Sequence, residues 1–196
     1  MITKQRITSI EQAIKSSRTA YPDLADKLPT VPGLYAFFVD SQEALSRTVV
    51  QAHLLTASLY AGKSESSLKK RDFDTHFAEG KSGSSTVRRS FGALLRQQLG
   101  LLPMRRGYTG KDQDFQNYKF DDKSETLLSE WMRSSLSVGW WPFDASLSIL
   151  KDLETELIQH LNPPLNLQHS RHPTVELIKE LRKVCAGLAK ASSARL

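Results

Sequence analysis

Cysteine is almost absent from this chain, because Cys185 is the only one in 196 residues. A single cysteine excludes an internal disulfide and a cysteine-rich zinc site. The sequence also lacks a run of about 18 apolar residues, so we expect no membrane-spanning helix. Its first residues are polar and do not match the apolar segment of a signal peptide. Together these absences predict a cytoplasmic protein.

An excess of basic residues is the main signal in the composition. Lysine and arginine number 27 against 21 acidic residues, which gives a net charge of +6. Positive charge favours a polyanion such as DNA, because neutralising phosphates releases counterions. Four candidates for phosphate contacts lie near glycine-, serine- or polar-rich segments: Arg88, Arg89, Arg105 and Arg106. A solvated basic surface explains the same four residues equally well.

Three short apolar segments predict β-strands. Residues 31–39 begin with a Pro-Gly turn and stay apolar without alternation, which is typical of a strand covered on both faces. Residues 58–62 predict a second strand, antiparallel to the first. Residues 136–141 predict a third, which Pro142 ends.

Helical periodicity and capping residues occur between and around these strands. Helices are predicted at residues 7–21, 87–99, 124–135, 146–161 and 174–191. Because strands and helices do not alternate regularly, the predicted fold class is α+β, with a small mixed or antiparallel three-stranded central sheet flanked by helices. Residues 1–196 are expected to form a single domain.

Glu154 interrupts the apolar face of the predicted helix 146–161. It lies four residues after Leu150 and three before Leu157, so its side chain points with theirs. A carboxylate in such a place must be paired, protonated or bound to a cation. A buried salt bridge to an arginine and a metal site both satisfy this condition, and position alone leaves the two open.

Five sequence elements, in this order, resemble the GIY-YIG nuclease superfamily. Residues 33–35 (Gly-Leu-Tyr) match its first strand motif, and residues 60–62 (Tyr-Ala-Gly) match its second. Arg71 ends a short basic segment that resembles the arginine-bearing helix turn. Residues 153–158 (Leu-Glu-Thr-Glu-Leu-Ile), followed at a suitable distance by Asn166, resemble the downstream signature. The matching pieces cover residues 31–71 and 136–167.

This resemblance implies the organisation and activity of the protein. It implies a catalytic core at residues 31–168 with a helical insertion around residues 80–135. Residues 1–29 would form an N-terminal helical segment, and residues 172–196 a C-terminal helix. The implied activity is hydrolysis of DNA phosphodiester bonds by an endonuclease that uses one Mg²⁺ or Mn²⁺ ion. The oligomeric state is open, with a homodimer as one option.

The resemblance also assigns a role to each residue of the implied site. Glu154 would bind the metal, and Arg71 would stabilise the pentavalent phosphate. Tyr35 would be the general base, helped by Lys63 because a phenol needs nearby cations to ionise at neutral pH. Tyr60 would orient the water or contact the phosphate. Another residue, Asn166, would hold the backbone of the site by hydrogen bonds.

His76 is the departure from the family pattern. Lys63 after the second motif and a histidine after the arginine resemble the restriction-endonuclease branch. However, His76 follows Arg71 by five residues, where the family usually has four. Either the α-helix ends near Arg71, or His76 is a half-exposed loop residue and not the equivalent histidine. Arg88 or Arg89 could also supply the phosphate contact given to Arg71.

Two other functions fit parts of the sequence. A non-catalytic DNA-binding or scaffold protein could keep the same fold. Residues 57–64 (Ala-Ser-Leu-Tyr-Ala-Gly-Lys-Ser) are one glycine short of a phosphate-binding P-loop, so a nucleotide-binding protein is a further alternative.

Overall fold

A four-stranded antiparallel sheet forms the centre of the protein in the computed structural model, which describes residues 2–45 and 57–193. Its strands lie in the order β1, β6, β2, β3, with bounds β1 Thr19–Ala20, β2 Gly33–Val39, β3 Tyr60–Ser64 and β6 Leu136–Pro142. A separate two-stranded sheet consists of β4 Pro103–Met104 and β5 Lys119–Phe120. The predicted α+β class is therefore confirmed, but the central sheet has four strands where three were predicted, because the two-residue strand β1 pairs with β6.

Helices cover both faces of the central sheet. Within the described residues they are α1 Lys4–Ser16, α2 Tyr21–Lys27, α3 Leu68–Arg71, α4 Thr86–Leu99, α5 Gln113–Gln116, α6 Asp122–Ser135, α7 Leu147–Leu161 and α8 Val175–Ser193. A π-helical turn, Asp72–His76, continues directly from α3. Among the described residues, no helix combines the length and the apolar character that a membrane span requires.

Strand β2 separates two hydrophobic clusters, and all seven of its residues are buried. Leu34, Ala36 and Phe38 pack with α1 and α7 on one face. Tyr35 and Phe37 point to the opposite face, where α4 and α6 supply the larger cluster. This division follows from the two-residue period of a strand, and it confirms that both faces are covered.

The N-terminal segment differs from the single helix predicted at residues 7–21. Helix α1 ends at Ser16, and the chain then adds β1 to the edge of the sheet before α2 begins. Ser17 accounts for the change, because its hydroxyl donates to the carbonyl of Trp140 and accepts from the amide of the same residue, each at 2.7 Å. Pro22 then lies in the first turn of α2, where proline is tolerated.

Other element boundaries shift by a few residues. The second predicted strand, 58–62, is observed at Tyr60–Ser64. Helix α4 begins after Ser85, whose hydroxyl accepts the amide of Arg88, and ends at Gly100 in the left-handed conformation. The single-domain division and its insertion remain predictions; Met1 and residues 194–196 lie outside the described residues.

Candidate active site

Polar groups from α7 and from the segment that follows it contact the outer edge of β3. Asn166 donates to the carbonyl oxygen of Ala61 and accepts from its amide, both at 2.8 Å, while the amide of Leu165 donates to Leu59. Farther along the same edge, the backbone of Lys63 lies beside Glu154 and favours its ionised form. These contacts satisfy an edge that would otherwise be open, and they place Glu154 and Asn166 beside the residue 60–62 motif.

Glu154 lies where the two faces of the sheet meet. Its helix, α7, packs on the face that carries Leu34, whereas Tyr60 points to the other face. Because β3 is the last strand, the half-buried carboxylate at its edge borders both sides. Burial raises the pKa of Glu154, against the opposing influence of Lys63. No lysine or arginine among the described residues forms a salt bridge with Glu154, so the salt-bridge interpretation is not supported.

Two adjoining hollows share Glu154 as a wall. The first, of about 450 Å³, is also lined by Lys63, Glu65, Lys70 and Arg71. The second, of about 380 Å³, contains Tyr60, Asn166 and other residues of the C-terminal part. Glu154 therefore stands between a basic hollow beside α3 and a second hollow beside α8.

Tyr35 lies beneath this surface instead of lining it. Its side chain is fully buried, and its hydroxyl interacts with the Arg71 side chain. A Cβ atom on Gly62 would lie 2.6 Å from the Tyr35 hydroxyl, so the glycine of the second motif makes room for this phenol. Burial raises the pKa of Tyr35 well above its usual value, so cations do not ionise it in the free protein, contrary to expectation.

His76 joins Tyr35 to the start of α4. Its Nε2 lies 2.8 Å from the Tyr35 hydroxyl, and its Nδ1 lies 2.8 Å from the Ser85 hydroxyl. The ring is completely buried, and burial lowers the pKa of His76 well below its usual value. A neutral His76 can therefore accept a proton at one nitrogen while donating from the other.

The π-turn explains the five-residue spacing between Arg71 and His76. In an α-helix, residues five apart point roughly 140° away from each other. Here the α-helix ends at Arg71, and the amide of Phe77 bonds the carbonyl of Asp72 at 3.0 Å, an i to i+5 bond. This wider turn accommodates the extra residue, so the loop-histidine interpretation is wrong.

Asp72 is a buried carboxylate that sequence reasoning missed. It is inaccessible to solvent, and neither of its oxygens has a hydrogen-bond partner among the described residues. Burial raises the pKa of Asp72 well above its usual value, although adjacent Arg71 opposes the shift. The folded protein therefore favours the protonated form of this group.

We predict that Asp72→Asn makes the free energy of unfolding less dependent on pH. Because the folded-state pKa is raised, wild type loses stability as pH rises above the unfolded value, by up to about 1.4 kcal/mol per pH unit. Asparagine cannot ionise, so the variant does not lose this stability. Its free energy of unfolding therefore rises relative to that of wild type from about pH 4 up to roughly the folded-state pKa of Asp72. Urea unfolding at several pH values measures the difference; Asp74→Asn, at an exposed neighbour, is the control. Parallel pH profiles for wild type and Asp72→Asn would contradict it.

The prediction that Arg88 contacts DNA is wrong, because this side chain lies inside the protein. Its side chain is fully buried, and Nη2 donates to Glu125 Oε2 and to Ser129 Oγ, each at 2.8 Å. Nη1 donates to the carbonyl oxygen of His76 at 3.1 Å. A guanidinium with these partners cannot reach a phosphate on the surface, and it positions the backbone of His76 instead.

The other three arginines differ in how freely they could meet DNA. Arg89 is 6% exposed and donates to the carbonyl oxygens of Ser82 and Gly83, each at 2.9 Å. Burial, followed by the charge of Arg182, lowers the pKa of Arg89 to about 10. Arg105 is half-buried over the ring of Tyr108, and Arg106 is exposed. Only Arg106 of these four has an exposed side chain.

Arg182 is a site residue that the sequence interpretation missed. It is half-buried on α8 and lines the second hollow with Tyr60 and Glu154. It follows buried Ile178 by four residues and precedes buried Cys185 by three. This is the pattern that singled out Glu154, a charged side chain on an apolar stripe. Apolar residues on the outer side of α8, such as Leu188, which is 40% exposed, obscure this pattern in the sequence.

The donor groups present fit a magnesium or manganese ion better than a zinc ion. No group of three or more histidine, cysteine or acidic side chains suited to a metal occurs in residues 2–45 and 57–193. Mg²⁺ needs fewer protein ligands, since it commonly binds one or two carboxylates, with water and substrate phosphate completing its shell. Glu154, unpaired and bordering both hollows, meets that requirement.

The P-loop alternative is wrong. A P-loop needs a glycine-rich turn between a strand and a helix, so that its amides surround a phosphate. Residues Tyr60–Ser64 instead form β3, which pairs with β2 from Gly33 to Phe37. Their backbone groups are engaged in the sheet.

Comparison with known proteins places this geometry in a family. The family model described as "GIY-YIG catalytic domain" matches residues 33–185. The match includes the middle segment and the first half of α8, and so extends beyond the pieces recognised in the sequence. No curated protein and no solved structure matches the chain. Since the family model covers most of its length, the chain belongs to the GIY-YIG family of nuclease-type catalytic domains.

Proposed function

We propose that the protein is a DNA endonuclease that hydrolyses phosphodiester bonds with one bound Mg²⁺ or Mn²⁺ ion. The observation that carries the proposal is the unpaired Glu154 between two hollows, with Lys63, Lys70 and Arg71 on one side. A phosphodiester is an anion that needs charge neutralisation in its transition state, and this group of cations is suited to supply it. The net charge of +6 supports DNA as the substrate.

In the proposed mechanism, Arg71 binds the scissile phosphate through its planar guanidinium, and Lys63 adds a second positive charge. Glu154 would hold the metal ion, which when bound would supply Lewis-acid stabilisation of the charge on the phosphate and on the leaving oxygen. Asn166 fixes the β3 edge from which Glu154 takes its position. Tyr60, whose pKa burial raises to about 12, keeps its proton and orients the attacking water.

Tyr35 and His76 would remove the proton of the attacking water. As the water proton moves to the Tyr35 oxygen, the proton of the phenol moves to Nε2 of neutral His76, which becomes the imidazolium. The 2.8 Å contact between these groups supports this transfer, and it avoids ionising a phenol whose pKa is raised. Burial and the charges of Arg71 and Arg88 lower the pKa of His76, so the imidazolium would be short-lived, and movement of Arg71 away from Tyr35 would ease its formation. The proposal requires Arg71 to move from the Tyr35 hydroxyl onto the phosphate, so that water reaches it.

We also propose that the protein is closest to the restriction-endonuclease-like branch of the family. The support is Lys63 directly after the second motif, and a histidine in contact with the first-motif tyrosine.

The test is cleavage of supercoiled plasmid by the purified protein with Mg²⁺, with Mn²⁺ and with EDTA. We expect metal-dependent nicking. Tyr35→Phe should slow it at least about a hundredfold, because the proton relay is lost, while duplex binding changes little. Tyr108→Phe, at an exposed tyrosine outside the site, controls for purification and for a contaminating nuclease.

Binding without cleavage of duplex, branched or single-stranded DNA would favour the non-catalytic alternative. Equal cleavage by wild type and Tyr35→Phe would leave a nuclease but contradict the proposed role of Tyr35.

A further inference from the structure

Arg182 differs from its basic neighbours on α8 in having no acidic partner within residues 2–45 and 57–193. Lys179 pairs with Glu176 at 2.6 Å, and Lys183 pairs with Glu180 at 2.5 Å. Among the described residues, no carboxylate forms a salt bridge with Arg182, although its side chain is half-buried. Partial burial of an unpaired guanidinium is costly, so the position calls for an anion from outside the chain.

The surroundings of Arg182 indicate where that anion would bind. Arg182 shares the 380 Å³ hollow with Tyr60, Glu154 and Asn166, whereas Lys63 and Arg71 line the adjoining 450 Å³ hollow. The two hollows meet at Glu154. A DNA strand whose scissile phosphate lies at Glu154 and Arg71, and which continues into the second hollow, would place a neighbouring phosphate toward Arg182, since phosphates recur about every 3.4 Å of rise along a strand.

Two further arginines, Arg89 and Arg106, lie near Arg182. Arg182 and Arg106 both lower the pKa of Arg89, after burial, which means that positive charge is concentrated there. Arg106 is exposed and packs against Gly83 beside the start of α4. Clustered arginines of this kind are suited to binding a phosphate backbone.

We infer that Arg182 is a substrate-binding residue that contacts a DNA phosphate next to the scissile one, on the α8 side of Glu154. This inference rests on the proposed function for the location of the scissile phosphate. It adds a contact from α8, outside the residue 31–168 core that the sequence motifs define, and it gives the α8 side of the second hollow a role in substrate binding.

The experiment measures the affinity of a fluorescently labelled short duplex by anisotropy in EDTA, over a series of NaCl concentrations. Loss of one phosphate contact should lower the slope of log K against log[NaCl] by about 0.9 for Arg182→Gln. Arg182→Lys should keep the wild-type slope, because it keeps the charge. Lys183→Gln, the same loss of charge at the exposed neighbour that pairs with Glu180, should leave the slope unchanged.

Measurements of KM, kcat and thermal unfolding distinguish a role of Arg182 in substrate binding from a role in catalysis or in stability. In the plasmid assay, Arg182→Gln should raise KM several-fold while kcat stays within about twofold, the pattern of lost substrate binding. Arg182→Gln should unfold at the wild-type temperature or above it, because the substitution removes a partly buried, unpaired charge. An unchanged salt slope, an equal effect of Lys183→Gln, or a loss confined to kcat would overturn the inference.

These outcomes are distinct from failure of the proposed function. If wild type binds and cleaves DNA but Arg182→Gln behaves like wild type, only this inference fails. If no preparation cleaves DNA but the slope still falls for Arg182→Gln, the phosphate contact stands and the nuclease proposal fails.

Discussion

Replacement of Glu154 by glutamine is expected to lower the rate of DNA cleavage by roughly 10⁴-fold. The amide keeps the shape of the side chain but loses the negative charge that would hold the metal ion, and Lewis-acid stabilisation of the transition state contributes several kcal/mol, about 5 here. DNA binding in EDTA should not weaken, since the substitution removes a negative charge from a surface that meets phosphate. The measurement is a single-turnover time course of plasmid nicking.

Loss of stability cannot explain slower cleavage by Glu154→Gln, because the raised pKa of Glu154 predicts that this variant is at least as stable as wild type. The folded-state pKa of Glu154 is raised by burial, so the ionised side chain costs stability above its unfolded pKa, and that cost grows as pH rises toward the folded value. Glutamine resembles the protonated form and avoids this cost. Glu154→Gln should therefore unfold at the wild-type temperature or above it, in the manner of a site residue whose charge serves function at the expense of stability.

Glu156 provides the matched control for Glu154. It lies on the same helix two residues later, but its side chain is exposed. Glu156→Gln should cleave DNA at the wild-type rate. A readout independent of activity is Mn²⁺ binding followed by electron paramagnetic resonance, which should weaken for Glu154→Gln only. Wild-type cleavage by Glu154→Gln, or an equal loss in Glu156→Gln, would contradict the assignment of the metal to Glu154.

The second large effect concerns stability. Glu125→Ala is expected to lower the free energy of unfolding by about 3–5 kcal/mol, because it leaves the buried guanidinium of Arg88 without its counter-charge. Glu125 also accepts from Ser82 Oγ at 2.9 Å and from the amide of Phe120 at 3.2 Å, so three donors lose a partner. For a chain of this length the melting temperature should fall by roughly 10 °C.

A double substitution separates lost charge pairing from lost volume. Arg88→Met with Glu125→Leu removes both charges and fills the space, and it should recover much of the stability that Glu125→Ala loses. However, Arg88 donates to the carbonyl oxygen of His76, so cleavage by the double variant should remain slow.

Glu176→Ala is the control for an exposed pair, because it breaks the salt bridge to Lys179 and should lower the free energy of unfolding by under about 1 kcal/mol. A cost that small for Glu125→Ala would show that the buried pair contributes little.

The local sequence pattern was sufficient to predict the strand and the helix that carry Tyr35 and Glu154. The uninterrupted apolar run of Gly33–Val39 identified a strand covered on both faces, because every side chain of such a strand must avoid water. Glu154 was recognisable because a carboxylate at helical spacing among leucines requires a partner. The order of the short motifs then indicated the family, and its arginine, glutamate and asparagine converge at the edge of β3.

Two features, the buried ion pair of Arg88 and the π-turn before His76, depend on tertiary packing and could not be predicted from the sequence pattern. The partner of Arg88 is Glu125, 37 residues away, and no local rule identifies a pair formed by the packing of α4 and α6. The π-turn was likewise invisible, since a five-residue spacing is compatible with a loop or with a wider helical turn. Only the docking of His76 between Tyr35 and Ser85 selects the latter.

The sequence by itself determined the fold class and the family, and it singled out Arg71 and Glu154 as candidate site residues, because these depend on the order and periodicity of residues along the chain. Tertiary structure alone decided which charges are available to a ligand. It buries Arg88 and Arg89, covers Tyr35 with Arg71, and brings Arg182 from the C-terminal helix to Glu154. The physical reason is that desolvation and pairing of a charge depend on neighbours distant in sequence, which become adjacent only when the helices pack on the sheet.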